Sequence, residues 1–187
     1  RRVLAVKIEA DQTQEFVEHA AINLDTISAE DLKSYLLAGG CWPFIKQRPY
    51  DVIANPSVAP KAIFVSAYAS APLAADYDFT LKGKEAELQA ALTALDKLTS
   101  GKVHVSVGKN SNSVFSSLNG FELHQVSGPH PSGNVGTQIN NIDPVNKGET
   151  VWTVTPQDLV IIGELLLTAK FNAERTIALA GSSIKKP

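Results

Sequence analysis

The apolar positions of this 187-residue chain change period several times, and each change predicts an element. RVLAVKIEA near the start alternates well enough for a strand, with Val3, Ala5 and Ile8 on opposite phases. SAEDLKSYLLAGG reads as a helix: Ser28 and Asp31 resemble a capping box, Leu32, Tyr35 and Leu36 form the apolar face, and Gly39-Gly40 ends it. KAIFVSA is a short continuous apolar run after Pro60, of the kind found in the middle of a sheet. KEAELQAALTALDKLTSG places Leu88, Ala91, Leu92, Leu95 and Leu98 on one helical stripe that stops at Gly101.

KVHVSVG and FELHQV then read as strands, separated by a turn at Asn119-Gly120. TVWTV is a further strand, and it meets TPQD, where Thr155 can cap, Pro156 takes the first helical position and Asp158 suits the positive end of the helix dipole. That helix is expected to run to about Lys170, with RTIALAG as a last strand. Strands alternating with helices predict a doubly wound α/β core with a mainly parallel sheet. The first and last ten or so residues read as strands shared with neighbouring domains.

Composition narrows the classes. An apolar share of 44% with 19% charged residues fits a globular core, and a net charge of −2 argues against a nucleic-acid or anionic-membrane surface. Methionine is absent, which we read as the mark of an internal segment of a longer chain. The longest apolar stretch, Leu159 to Ala169, contains Glu164 and is too short to span a bilayer, so it reads as a buried helix.

Candidate chemistry is sparse. GPHPSGNVGTQINNIDPV follows a strand and opens toward a helix, as a phosphate loop must, with Ser132 or Asn134 as its cap. Its Gly128, Gly133 and Gly136 are spaced unlike a dinucleotide or Walker loop. His130, held between two prolines, is either a donor to a ligand or a neighbouring protein chain, or a residue packed in a rigid turn. His19, His104 and His124 show no metal spacing, and no metal site or catalytic residue is expected. The lone Cys41 follows a helix C-terminus, where the dipole disfavours a thiolate, so packing is its expected role. FIKQRPYDVIANP joins Phe44, Lys46, Arg48 and Tyr50 beside Trp42, a mixture that suits either an aromatic ligand or a protein interface. Asp76 and Asp78 follow a strand end, where open α/β sheets bind ligands, with a solvated loop as the plainer reading.

Three stretches together carry a resemblance: LLAGGCWPFIKQRPYDVIANPSVAPKAIFVSAYASAPLAADYD, GPHPSGNVGTQINNIDPV and TPQDLVIIGELLLTAKFNAERTIALAG. In this order the chain resembles the NqrA family, components of the bacterial sodium-translocating NADH:quinone oxidoreductase. The resemblance implies a peripheral component at the cytoplasmic face of the inner membrane, in a complex that oxidises NADH, reduces ubiquinone and exports sodium. Partners would be the other Nqr subunits, chiefly a membrane-embedded one. It further implies that 1–25 end an N-terminal domain, 26–172 form a Rossmann-like domain and 173–187 begin a β-grasp-type module. Relatives in complex I and the Rnf complex cradle a flavin phosphate in a GGAGFPT-type loop. The corresponding stretch here is Gly39, Gly40, Cys41 and Trp42, whose bulk implies a degenerate cradle and no bound cofactor. The family's quinone-associated loop corresponds to Ile45, Lys46, Arg48, Pro49 and Tyr50, with Arg48 or Lys46 as donors to a quinone carbonyl. The segment by itself is expected to be non-catalytic. A flavin- or dinucleotide-binding redox domain and a non-catalytic scaffold for the membrane components remain as alternatives.

Overall fold

The computed structural model describes residues 3–9, 13 and 15–184. Helix α1 (Ala29–Ala38) starts as its sequence demands: Ser28 Oγ accepts from the Asp31 N–H at 3.1 Å and donates to the Asp31 carboxylate at 2.7 Å. A short 3-10 turn, Trp42–Phe44, leads into a hairpin of β1 (Lys46–Arg48) and β2 (Val52–Ile53). Strand β3 (Ile63–Ala67), a four-residue helix α2 (Tyr77–Thr80), α3 (Glu85–Asp96) and β4 (Val103–Gly108) follow. The chain closes with β5 (Glu122–Val126), α4 (Val135–Ile142), β6 (Val151–Val154) and α5 (Pro156–Thr168).

The sheet order is β2-β1-β6-β3-β4-β5. Strands β6, β3, β4 and β5 are parallel, while β1 joins β6 and β2 joins β1 antiparallel. The doubly wound, mainly parallel α/β core read from the sequence is present. The hairpin is an addition to that reading, because a charged three-residue strand leaves no apolar signature of its own.

The two faces of the sheet are covered unequally. Ile63, Val65, Val103, Val105, Trp152 and Val154 point to one side and share a core with Leu32, Leu36, Leu88, Leu92, Leu95, Leu159, Ile162 and Leu165 from α1, α3 and α5. Each such fully buried side chain contributes roughly 1.5–3 kcal/mol. Helices α3 and α5 touch backbone to backbone at Gly163, where a Cβ would meet the Glu87 carbonyl oxygen at 1.9 Å. On the other side only Ala62, Phe64, Ile139 and Val151 form a small cluster beneath α4. That half-covered face carries Lys46, Arg48, Ser66, His104, Ser106 and Thr153, most of the polar residues of the strands.

Two expected strands are absent. Residues 3–9 and 173–184 contain no strand, and Val3, Leu4, Ile177 and Leu179 stand 80%, 95%, 83% and 80% exposed. An alternating segment becomes a strand only where a neighbour completes its hydrogen-bond ladder, and no described strand pairs with either segment. The tail is still tied down locally: the Arg175 guanidinium bonds Asp158, and Gln157 exchanges hydrogen bonds with the Thr176 backbone at 2.9 and 3.1 Å.

Candidate functional site

Strand β3 feeds β4 and then β5 on one side, while the chain returns through α4 to place β6 on the other side of β3. This reversal of winding opens a crevice beyond the carboxyl ends of β3 and β6, the position where open α/β sheets bind ligands. A cavity of about 770 Å³ lies there. It falls within the roughly 300–1,000 Å³ usual for small-molecule sites.

Cross-strand register explains which side chains reach it. Lys46 is the Cα partner of Thr153, which is the partner of Phe64, which is the partner of His104. Partners in register share a face, so Lys46, Thr153, Phe64 and His104 form one row on the half-covered side. Arg48, two residues on, shares that face, and Ile45, one residue back, takes the other and is fully buried in the core. Lys46, Arg48 and Thr153 line the cavity together with Phe44, Tyr68 and Tyr77.

The floor is stitched by short polar side chains. Ser66 Oγ lies 3.2 Å from the carbonyl oxygens of both Tyr68 and Gly133. Ser70 Oγ accepts from the Gly133 N–H at 2.8 Å and lies 3.2 Å from His130 Nδ1. Tyr68 Oη and Ser132 Oγ both donate to the Gly128 carbonyl, at 3.1 and 2.9 Å. Gly133 admits no side chain, because a Cβ would stand 2.4 Å from the Ser70 nitrogen. The glycine- and proline-rich loop is thus clamped onto the end of β3, and it aims the N-terminus of α4 into the cavity.

Charges in the wall are mostly matched. Arg48 Nη1 lies 3.2 Å from Asp51 Oδ1. Asp158 is held by Thr155 Oγ1 at 2.5 Å and by the Arg175 guanidinium. Lys46 has no carboxylate partner among the described residues.

The sequence candidates therefore divide. Lys46, Arg48, Gly133 and Gly136, from two distant stretches, meet in the cavity wall. Pro49 and Tyr50 are exposed at the hairpin tip, Tyr50 by 80%, and they lie outside the cavity wall. His130 is exposed and bonded to Ser70. Gly39, Cys41 and Trp42 are buried beneath the other face of the sheet; Gly40 (φ +76°) is exposed at the end of α1. Trp42 donates from Nε1 to the Ala54 carbonyl at 2.7 Å and packs edge-on against Trp152. Burial, followed by the charge of Asp158, pushes the Cys41 thiol up to about 12, far from a thiolate at neutral pH.

Asp76 caps α2, accepting from the Asp78 N–H at 2.9 Å, and both acids line a separate shallow hollow. His104 and His124 bond to each other at 3.0 Å, a pairing across β4 and β5 that no spacing in the sequence announces. No group of His, Cys, Asp or Glu among the described residues can hold a metal ion, and no described helix is long and apolar enough to cross a membrane. Sequence reading missed Ser66, Ser70 and Thr153; Ser66 and Thr153 are polar residues inside otherwise apolar strands, the available signal, whereas Ser70 lies in the loop after β3 and had none.

Comparison with known proteins decides the family. The family described as the NqrA second alpha/beta domain matches residues 27–171. This chain belongs to it. The NqrA protein of the Na(+)-translocating NADH-quinone reductase from Neisseria meningitidis serogroup B is 36% identical over 190 residues, covering 100% of this chain and 42% of the relative. The corresponding proteins of Serratia proteamaculans and Cellvibrio japonicus are 37% and 36% identical, over 99% and 98% of this chain and 41% of each relative. The chain thus spans about two fifths of the curated NqrA sequences it matches, and its cavity lies inside the matched domain.

Proposed function

We propose that this NqrA-family domain serves a sodium-pumping NADH:ubiquinone oxidoreductase by contacting the quinone through the cavity at the switch in strand order. The carrying observation is that the β1–β2 hairpin brings Lys46 and Arg48 onto the same cavity as Phe44, Tyr68 and Tyr77. A quinone head group is a flat ring with two carbonyl acceptors. Cationic donors beside aromatic side chains match both features. In this reading the domain sits at the cytoplasmic face of the bacterial inner membrane as a peripheral part of the complex. It holds neither flavin nor dinucleotide, since β3 is followed by Tyr68-Ala69-Ser70-Ala71-Pro72 rather than a glycine loop.

The test uses the assembled complex carrying Lys46→Gln and Arg48→Gln together. The expected result is a KM for a soluble ubiquinone raised about tenfold, the loss of about 1.4 kcal/mol of binding, with NADH oxidation by an artificial acceptor unchanged. An unaltered quinone KM would refute the contact. A yellow preparation of the full-length protein would instead favour the flavin-binding alternative.

A scaffold reading has its own observation. The hairpin exposes Tyr50, Val52 and Ile53 by 80%, 50% and 52%, an apolar tip suited to a protein partner in the membrane complex. Loss of co-purification with the membrane components in Val52→Glu/Ile53→Glu, with quinone kinetics of the residual complex intact, would place that tip in assembly.

A further inference from the structure

The amino-terminal turn of α4 faces the cavity with two of its backbone donors unspent. Its N-cap, Asn134, makes no side-chain cap, and the Val135 and Gly136 N–H groups have no acceptor among the described residues. The α5 terminus on the same cavity differs, because Thr155 caps it and Asp158 supplies a negative charge. At α4 the neighbouring charge has the opposite sign. A Cβ on Gly136 would stand 3.1 Å from Arg48 Nη2, so a guanidinium rests against the positive end of the helix dipole. Asp51 neutralises that guanidinium from one side at 3.2 Å, and the helix end adds a second positive group to the same wall.

Thr153 adds an independent sign. Its side chain lines the same cavity, it is only 8% exposed, and its hydroxyl has no hydrogen-bond partner among the described residues. The residue is largely enclosed, yet its hydroxyl is spent on no neighbouring group and stays open to whatever fills the cavity. Lys46, its register partner on β1, is likewise without a carboxylate. The two acids in the wall do not oppose an anion strongly, since Asp51 is paired with Arg48 and Asp158 with Arg175.

We propose that Lys46, Arg48, Thr153 and the free N–H groups of Val135 and Gly136 form a binding subsite for a phosphate-class anion. The donor count favours a phosphate over a carboxylate. Two cationic side chains, one hydroxyl and two backbone N–H groups exceed what two carboxylate oxygens take up, and they match the three oxygens of a phosphate dianion. The subsite occupies the α4 end of the cavity and does not depend on the quinone reading. Either a free phosphate ion or the phosphate of a small ester satisfies the same donors.

The test is calorimetric titration of the full-length protein, without quinone, using inorganic phosphate, phenyl phosphate and acetate at constant ionic strength. Saturable binding of phosphate or phenyl phosphate is expected, weakened about tenfold in Arg48→Gln and several-fold in Thr153→Val. Thr153→Val keeps the side-chain shape and removes only the hydroxyl, so a melting temperature close to wild type separates a lost donor from a damaged fold. Tighter binding of phenyl phosphate identifies an ester as the ligand, and equal or weaker binding identifies the free ion; both support the subsite. Acetate binding as tight as phosphate, no saturable binding at all, or affinities unchanged in both variants would each overturn it.

Discussion

The Arg48 guanidinium lies against Gly136, whose missing side chain leaves just enough room: a Cβ there would stand 3.1 Å from Nη2. The contact ties the β1–β2 hairpin to α4, two elements far apart in sequence. Gly136→Ala should push the flexible Arg48 tip aside, with no other neighbour within 4 Å to strain. Alanine also favours the helix by up to about 1 kcal/mol. The variant should therefore melt no lower than wild type while binding phosphate several-fold more weakly. Undiminished binding would show that Arg48 does not act at the helix end.

Gly163 presents the contrary case. Its ideal Cβ would lie 1.9 Å from the Glu87 carbonyl oxygen, and this neighbour is backbone within α3. Gly163→Ala must separate α3 from α5 and disturb the larger core. A loss of roughly 1–3 kcal/mol is expected, read as a lower urea midpoint with little change in slope. An unchanged midpoint would contradict the backbone contact.

Cys41 should be inert in the folded protein. Burial, then the charge of Asp158, raises its thiol from an ordinary 9.0 to about 12. The folded state therefore holds the proton more tightly than the unfolded chain. Its contribution to stability is complete below about pH 9 and is lost as pH rises toward about 12. A disulfide reagent at mildly alkaline pH should modify the thiol only after denaturant is added, whereas rapid labelling of native protein would be inconsistent with this burial.

His104 acts in the acid direction. Burial and next the adjacent His124 hold its imidazole below the usual 6.5, while Asp143 and Glu122 pull weakly the other way. The unfolded chain takes up the proton more readily, so stability is present above the ordinary value and lost as pH falls below it. His104→Gln should flatten the fall in urea midpoint between about pH 7 and about pH 5. An equally steep fall in the variant would assign the acid sensitivity elsewhere.

The local signals of the chain were read well where one segment suffices to form the structure. Ser28 with Asp31, and Thr155 with Pro156 and Asp158, start their helices as capping chemistry requires. The leucine stripe of α3 is buried at Leu88, Leu92 and Leu95. These features depend on residues within a turn or two of one another, so sequence carries them. The alternations at 3–9 and 175–181 failed because a strand is a relation between segments.

The chain by itself thus determined helices α1, α3 and α5, the central β3, β4 and β6 runs, and the loop that opens α4, but not the short α2. Only tertiary structure decided which candidates meet. Lys46 and Arg48 reach the cavity, and Ile45 does not, because pairing of β1 with β6 sets the face on which each side chain projects. Gly39, Cys41 and Trp42 lie outside the cavity wall for a related reason: the end of α1 packs on the opposite face of the sheet. Register and face are properties of the assembled sheet, fixed by hydrogen bonds between strands distant in sequence, and no local pattern encodes them alone.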